Sequence, residues 1–124
     1  MFNVELSASG HGGYAVVALS GELDLADAPV VASHLIAAVA AFGPSIIVDL
    51  AGLEFIDCRG LGVLVRVLKW TRESGGDMYL VGTRPRVRRV FEMAGLIGVF
   101  SVYPSVKLAV TGARLARPLP AAAL

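Results

Sequence analysis

Residues 45–50, SIIVDL, set Ile46, Ile47, Val48 and Leu50 side by side in a run too short for a helix. Apolar residues in succession, without polar alternation, suit a strand covered on both faces at the centre of a parallel sheet. Such a strand cannot stand alone. It needs neighbours on both edges and helices over both faces, which already confines the chain to layered α/β architectures. The segment that follows, EFIDCRGLGVL (54–64), leads into an apolar helical pattern from about Leu61 to Val67. Asp57, Cys58 and Arg59 therefore fall at a strand-to-helix turn. A helix start there supplies unpaired backbone N–H groups and partial positive charge.

The rest of the chain provides the layers. Residues 2–7 (FNVELS) alternate as a half-buried strand does, and Gly10, Gly12 and Gly13 turn the chain into a second strand over Tyr14–Leu19. The two are expected to pair as a hairpin. GELD (21–24) reads as a connector to a helix ending near Phe42, with Asp24 or Asp27 as its cap and Pro29 in its first turn. Val31, Leu35, Val39 and Phe42 recur at helical spacing and are its expected inner face. After the central strand, a second helix runs from about Arg59 to Ser74, and Asp77–Val81 is a strand. Thr83 and Pro85 open a third helix with Val87, Val90, Phe91 and Ala94 inward. Gly95 closes it, and Leu96 is set to pack back on Phe91. Val99–Tyr103 is a short strand, and Pro104 opens a last helix to about Arg114. This order predicts one α/β domain over residues 1–114: a mixed sheet with a parallel centre and about four helices. Residues 115–124, with two prolines and no pattern, are expected to be a frayed tail.

With 124 residues the chain has room for one domain. A net charge of +1 gives no bulk attraction to nucleic acid or anionic membrane. The hydrophobic fraction of 56% raises the question of a membrane span. Its best candidate, Ala28–Phe42, contains Ser33 and His34 and is shorter than the twenty or so apolar residues a span needs. No membrane insertion is expected. The start of the chain lacks a secretory pattern, and one cysteine forms no internal disulfide, so a reducing cytoplasm is the expected setting. No cofactor or metal is expected.

Cys58, the only cysteine, has two competing readings: an inert, half-buried replacement for serine, or a redox-sensitive thiol favoured by the helix N-terminus and Arg59 and opposed by Asp57. A catalytic thiol fits poorly. A Cys-dependent phosphatase needs an arginine six residues on, where Leu64 stands, and the two histidines, His11 and His34, read as surface or packing residues. Gly60 and Gly62 are a weak phosphate-loop signal, better explained by close packing of the helix start on the sheet. Arg84, Arg86, Arg88 and Arg89 read as a solvated outer face or, alternatively, a patch for an acidic partner.

Three segments in order, GELDLADAP, IIVDLAGLEFIDCRGLGVLV and VRRVFEMAGL, resemble the STAS domain of bacterial anti-sigma factor antagonists, over about Val4 to Val110. The resemblance implies a small mixed sheet packed with helices and a regulatory, non-enzymatic role. It implies binding to an anti-sigma factor of the serine-kinase type, which frees a sigma factor. In that family the kinase phosphorylates a serine in an Asp-Ser-Ser/Thr-Gly-Leu motif and so breaks the complex. Asp57 matches the aspartate of the motif and Cys58 the phosphorylated serine. Arg59 matches the second hydroxyl residue, and Gly60 and Leu61 the last two positions. Asp24 matches an acidic residue near the partner. Asp24, Asp57, Cys58, Arg59, Gly60 and Leu61 are thus the expected partner-binding set, with the phospho-acceptor replaced. The alternative is a STAS subunit bracing a lipid-transport ABC complex, where no phosphorylation is needed. A monomer or weak dimer is expected.

Overall fold

The computed structural model describes residues 2–7, 13–24, 26–96 and 98–116. The chain runs β1 (Phe2–Ser7), β2 (Ala15–Leu23), α1 (Ala28–Phe42), β3 (Ile46–Ile56), α2 (Cys58–Glu73), β4 (Met78–Val81), α3 (Pro85–Met93), β5 (Ser101–Tyr103) and α4 (Val106–Ala116). The five strands form one sheet in sequence order. β1 and β2 pair antiparallel, and β2 through β5 are parallel neighbours. The expected mixed sheet with four helices is present. Of the glycines expected to turn β1 into β2, Gly13 has φ +90°, while Gly10 and Gly12 lie outside the described residues.

The central strand does what its apolar run predicts. Ile46, Val48 and Leu50 join Val31 and Leu35 of α1 and Leu64 and Leu68 of α2 in the main core. Ile47 points the other way and packs with Tyr79, Ala109 and Ala113, beneath α4. Burial on both faces follows from the period-two alternation of a strand.

β2 and β3 are longer than expected, and this matters most for the site. GEL (21–23) is strand, not connector, and β3 continues through Ala51–Ile56. The ladder persists past two irregularities, between Ala18 and Ser20 and between Gly21 and Glu22, to the final pair Leu23 and Ile56. Gly21 takes φ +84° at one irregularity. Gly52 lies against Ser20, whose Cβ would be 2.8 Å from a β-carbon on the glycine. Both glycines serve a bulged, close-packed ladder rather than a turn.

The remaining differences are local. Phe42 is 42% exposed rather than inward, and Ala94 is exposed at the end of α3. Thr83 does not cap α3: Arg84 occupies the cap position and its side chain makes no capping bond to the helix, and Thr83 Oγ1 is buried with no partner among the described residues. Gly95 closes α3 as expected. Its amide bonds to Glu92 O at 3.0 Å and that of Leu96 to Phe91 O at 2.9 Å, which satisfies two terminal carbonyls. Ser105 Oγ, not Pro104, receives the amide of Leu108 at the start of α4. α4 extends through Ala116, two residues further than expected, and the remainder of the expected tail, 117–124, lies outside the described residues. Among the described residues no helix is long and apolar enough to cross a membrane.

Candidate functional site

Because β2 and β3 end in register at Leu23 and Ile56, the next residue on each, Asp24 and Asp57, leaves the same edge of the sheet side by side. The amide of Asp57 donates to Leu23 O at 3.2 Å, so the second turn is tied to the end of the first strand. These are carboxyl ends of parallel strands, where ligands and partners of open α/β sheets gather.

The two aspartates use the same local chemistry. Asp57, extended at φ −97° and ψ 176°, is the N-cap of α2. Its Oδ1 accepts the amides of Arg59 at 3.0 Å and Gly60 at 2.8 Å, which satisfies two of the donors a helix start leaves open. Asp24 Oδ1 accepts the amides of Ala26 at 2.9 Å and Asp27 at 3.3 Å. Asp24 therefore orders the turn ahead of α1 rather than capping the helix, and Asp27 holds the cap position with its backbone alone. The carboxylate of each has one oxygen committed to the backbone. The second oxygen has no hydrogen bond among the described residues.

The residues after Asp57 divide by orientation. Cys58 and Arg59 are exposed. Gly60 is buried: a β-carbon there would stand 2.9 Å from Leu23 O and 3.0 Å from Leu23 Cγ. Close packing, rather than phosphate cradling, accounts for this glycine. Leu61 is 2% exposed and belongs to the main core. Gly60 and Leu61 thus hold the turn against β2, and Leu61, although in the expected partner-binding set, does not present its side chain at the surface. Phe55, 43% exposed and paired with Glu22 across the ladder, offers one instead. Its signal was a break in alternation: Glu54 and Phe55 are both exposed between buried Leu53 and Ile56. Cys58 is also more open than the half-buried replacement expected. Glu22 and Glu54 are exposed and Asp27 is partly so, which makes this end of the sheet acidic, with Arg59 as the cation in the turn itself.

The other singled-out residues lie elsewhere. His34 is exposed within α1, and His11 is outside the described residues. Among the described residues no three His, Cys, Asp or Glu side chains group as metal ligands. Arg84 Nε donates to Ala51 O at 2.6 Å, fastening α3 to β3 beyond the reach of β4. Arg88 pairs with Glu92 at 3.2 Å on the exposed face of α3, while Val87 and Phe91 form its buried side.

The STAS domain family profile matches residues 5–109. The anti-sigma F factor antagonist of Paenibacillus polymyxa is 31% identical over 110 residues, covering 88% of this chain and 94% of that relative. The anti-sigma-B factor antagonist of Bacillus subtilis is 30% identical over 86 residues, 69% of this chain and 78% of the relative. Among solved structures, an anti-sigma factor antagonist from Mycobacterium paratuberculosis superposes with a TM-score of 0.80 at 29% identity, over 92% of this chain and 95% of the other.

Proposed function

The chain belongs to the STAS-domain family, and from that premise we propose that it is an anti-sigma factor antagonist whose switch position holds a thiol. It binds an anti-sigma factor of the serine-kinase type through the turns at Asp24 and Asp57 and so releases a sigma factor. It does so as a binding module, not an enzyme, and in the cytoplasm. The names of the relatives over nearly their full length support the general role. The observation that carries the choice of surface is the pairing of Leu23 with Ile56, which sets two half-satisfied aspartates next to an exposed position 58. Arg59, Phe55 and the free carboxylate oxygens supply polar and apolar contact there. Gly60 and Leu61 contribute by holding the turn.

Serine phosphorylation does not control this turn. From Ile46 to Lys69 the chain has no serine, threonine or tyrosine. Cys58 carries a thiol where the family carries the accepting hydroxyl, and Arg59 has no hydroxyl. A negative group at position 58 still reproduces the charge that phosphorylation adds.

The test is a pull-down from the source cell, followed by titration of the captured anti-sigma factor with wild type and Cys58→Asp. An acidic residue in the first turn of α2 suits the helix dipole, so the variant folds. Capture of a kinase-type anti-sigma factor, with binding weakened about tenfold or more in the variant, bears the reading out. Capture of an ABC ATPase instead, equal affinity of both proteins, or phosphate on the wild-type turn by intact mass overturns it.

A further inference from the structure

Away from the turn, α1 and α2 leave an open groove of about 200 Å³ lined by Ala32, Ile36, Val63, Arg66, Val67 and Trp70. Its rim is apolar and open: Ile36 is 46% and Trp70 37% exposed. The α1 wall is unusual for a surface helix. Ser33, His34, Ala37, Ala40 and Ala41 are exposed, yet no Asp, Glu, Lys or Arg occurs anywhere in Ala28–Phe42. A helix facing only water ordinarily carries charge on its outer face.

The α2 wall is positive. Arg66 and Lys69 are exposed and make no hydrogen bond or ion pair among the described residues. Arg72, one turn on, is by contrast engaged by Asp77 at 3.0 Å and Val99 O at 2.8 Å. The single carboxylate of α2, Glu73, comes only in its last turn. The groove therefore combines an apolar floor with one lining cation, Arg66, that makes no ion pair among the described residues, and Lys69 lies one turn further along the same helix.

We propose that this groove docks an acidic amphipathic helix of a partner protein, with apolar side chains between Ile36 and Trp70 and carboxylates on Arg66 and Lys69. Knobs at helical spacing fill a cleft between two helices, and opposite charges at the rim set their register. The charge pattern also decides against a second copy of this chain. Two copies joined here bring Arg66 and Lys69 of each towards the other, while α1 offers no carboxylate to meet them. The proposal goes beyond the role of the Asp57 turn and does not depend on it.

Trp70 is the only tryptophan and lines the groove, so its emission reports occupancy directly. The probes are two synthetic helical peptides with the same leucine stripe, one flanked by glutamates and the other by lysines. The glutamate peptide is expected to shift Trp70 emission to the blue and to bind about tenfold or more tightly than the lysine peptide. Arg66→Glu is expected to reverse that preference, and Ile36→Ser to weaken both peptides. Cys58→Asp leaves the response unchanged, which separates this surface from the turn. Equal binding of the two peptides, no shift with either, or loss of the response in Cys58→Asp overturns the proposal. So does a concentration-dependent dimer in sedimentation that buries Trp70 without any peptide.

Discussion

Gly60 rests on the carbonyl of Leu23, close enough that a β-carbon on the glycine would stand 2.9 Å from that oxygen. The start of α2 is seated on the end of β2 by the lack of a side chain, while Gly62, two residues on, has nothing within 4 Å of its missing β-carbon. The two glycines thus respond oppositely to the same substitution. Gly60→Ala forces backbone or core to shift and destabilises by about 1–3 kcal/mol. Gly62→Ala removes backbone freedom from the unfolded chain inside a helix and stabilises by about 0.5–1 kcal/mol. Chemical denaturation of the pair is the measurement, and a shared sign contradicts the packing described.

Asp57 combines a structural bond with a charge, and two substitutions separate them. Asp57→Ala removes the oxygen that accepts the amides of Arg59 and Gly60, at a cost of about 1 kcal/mol. Asp57→Asn keeps an accepting oxygen at the cap, so its stability stays within a few tenths of a kcal/mol of wild type. Partner affinity falls in both if the free carboxylate oxygen faces a cation of the anti-sigma factor. Titration calorimetry beside a melting curve tells the two contributions apart. An Asn variant that binds as tightly as wild type limits Asp57 to its capping role.

Position 58 is exposed, so charge can be added there without mutation. Alkylation of Cys58 with iodoacetate adds a carboxylate, and iodoacetamide adds a neutral group of nearly the same size. The carboxymethylated protein is expected to lose partner affinity about tenfold relative to the carbamidomethylated one. The same sensitivity would let an anionic thiol adduct act as a redox input. If mild oxidation weakens binding in wild type but not in Cys58→Ala, the thiol reports redox state. If oxidation changes neither, Cys58 is a passive stand-in.

Tyr79 sets an alkaline limit. Burial, then Asp77, Tyr14 and Tyr103, raise its phenol above the ordinary value, against a smaller opposing effect of Arg72. A group raised in the folded state favours folding while it stays protonated. Its contribution is complete below the unfolded value near pH 10 and is lost as pH climbs through the higher folded value. Melting temperature is therefore expected to fall less steeply above about pH 10 in Tyr79→Phe than in wild type. Equal slopes would show that other groups govern the alkaline transition.

Much of this was legible in the residues. The SIIVDL run announced a strand covered on both sides, and the Asp57 turn followed from the helical pattern after it. Where reading by pattern failed, glycine was the usual reason. Gly21 and Gly52 look like punctuation but sit inside paired strands, because a bulged ladder needs the same freedom as a turn. That error hid the lengths of β2 and β3. The inward direction of Leu61 was available from its spacing to Leu64 and Leu68, all three buried. The motif resemblance assigned it a surface role that this spacing excludes. The α1–α2 groove had no local signal, since it depends on how two helices separated by a strand come together.

The seating of α2 divides labour within four residues. Positions 60 and 61 are buried and answerable to folding, whereas the side chains at positions 58 and 59 are exposed. Folding therefore filters one half of the motif and is indifferent to the other. Exchange between a thiol and a hydroxyl at position 58 is therefore expected to leave the melting temperature of the domain where it is. What position 58 presents to solvent can thus change without a change of architecture.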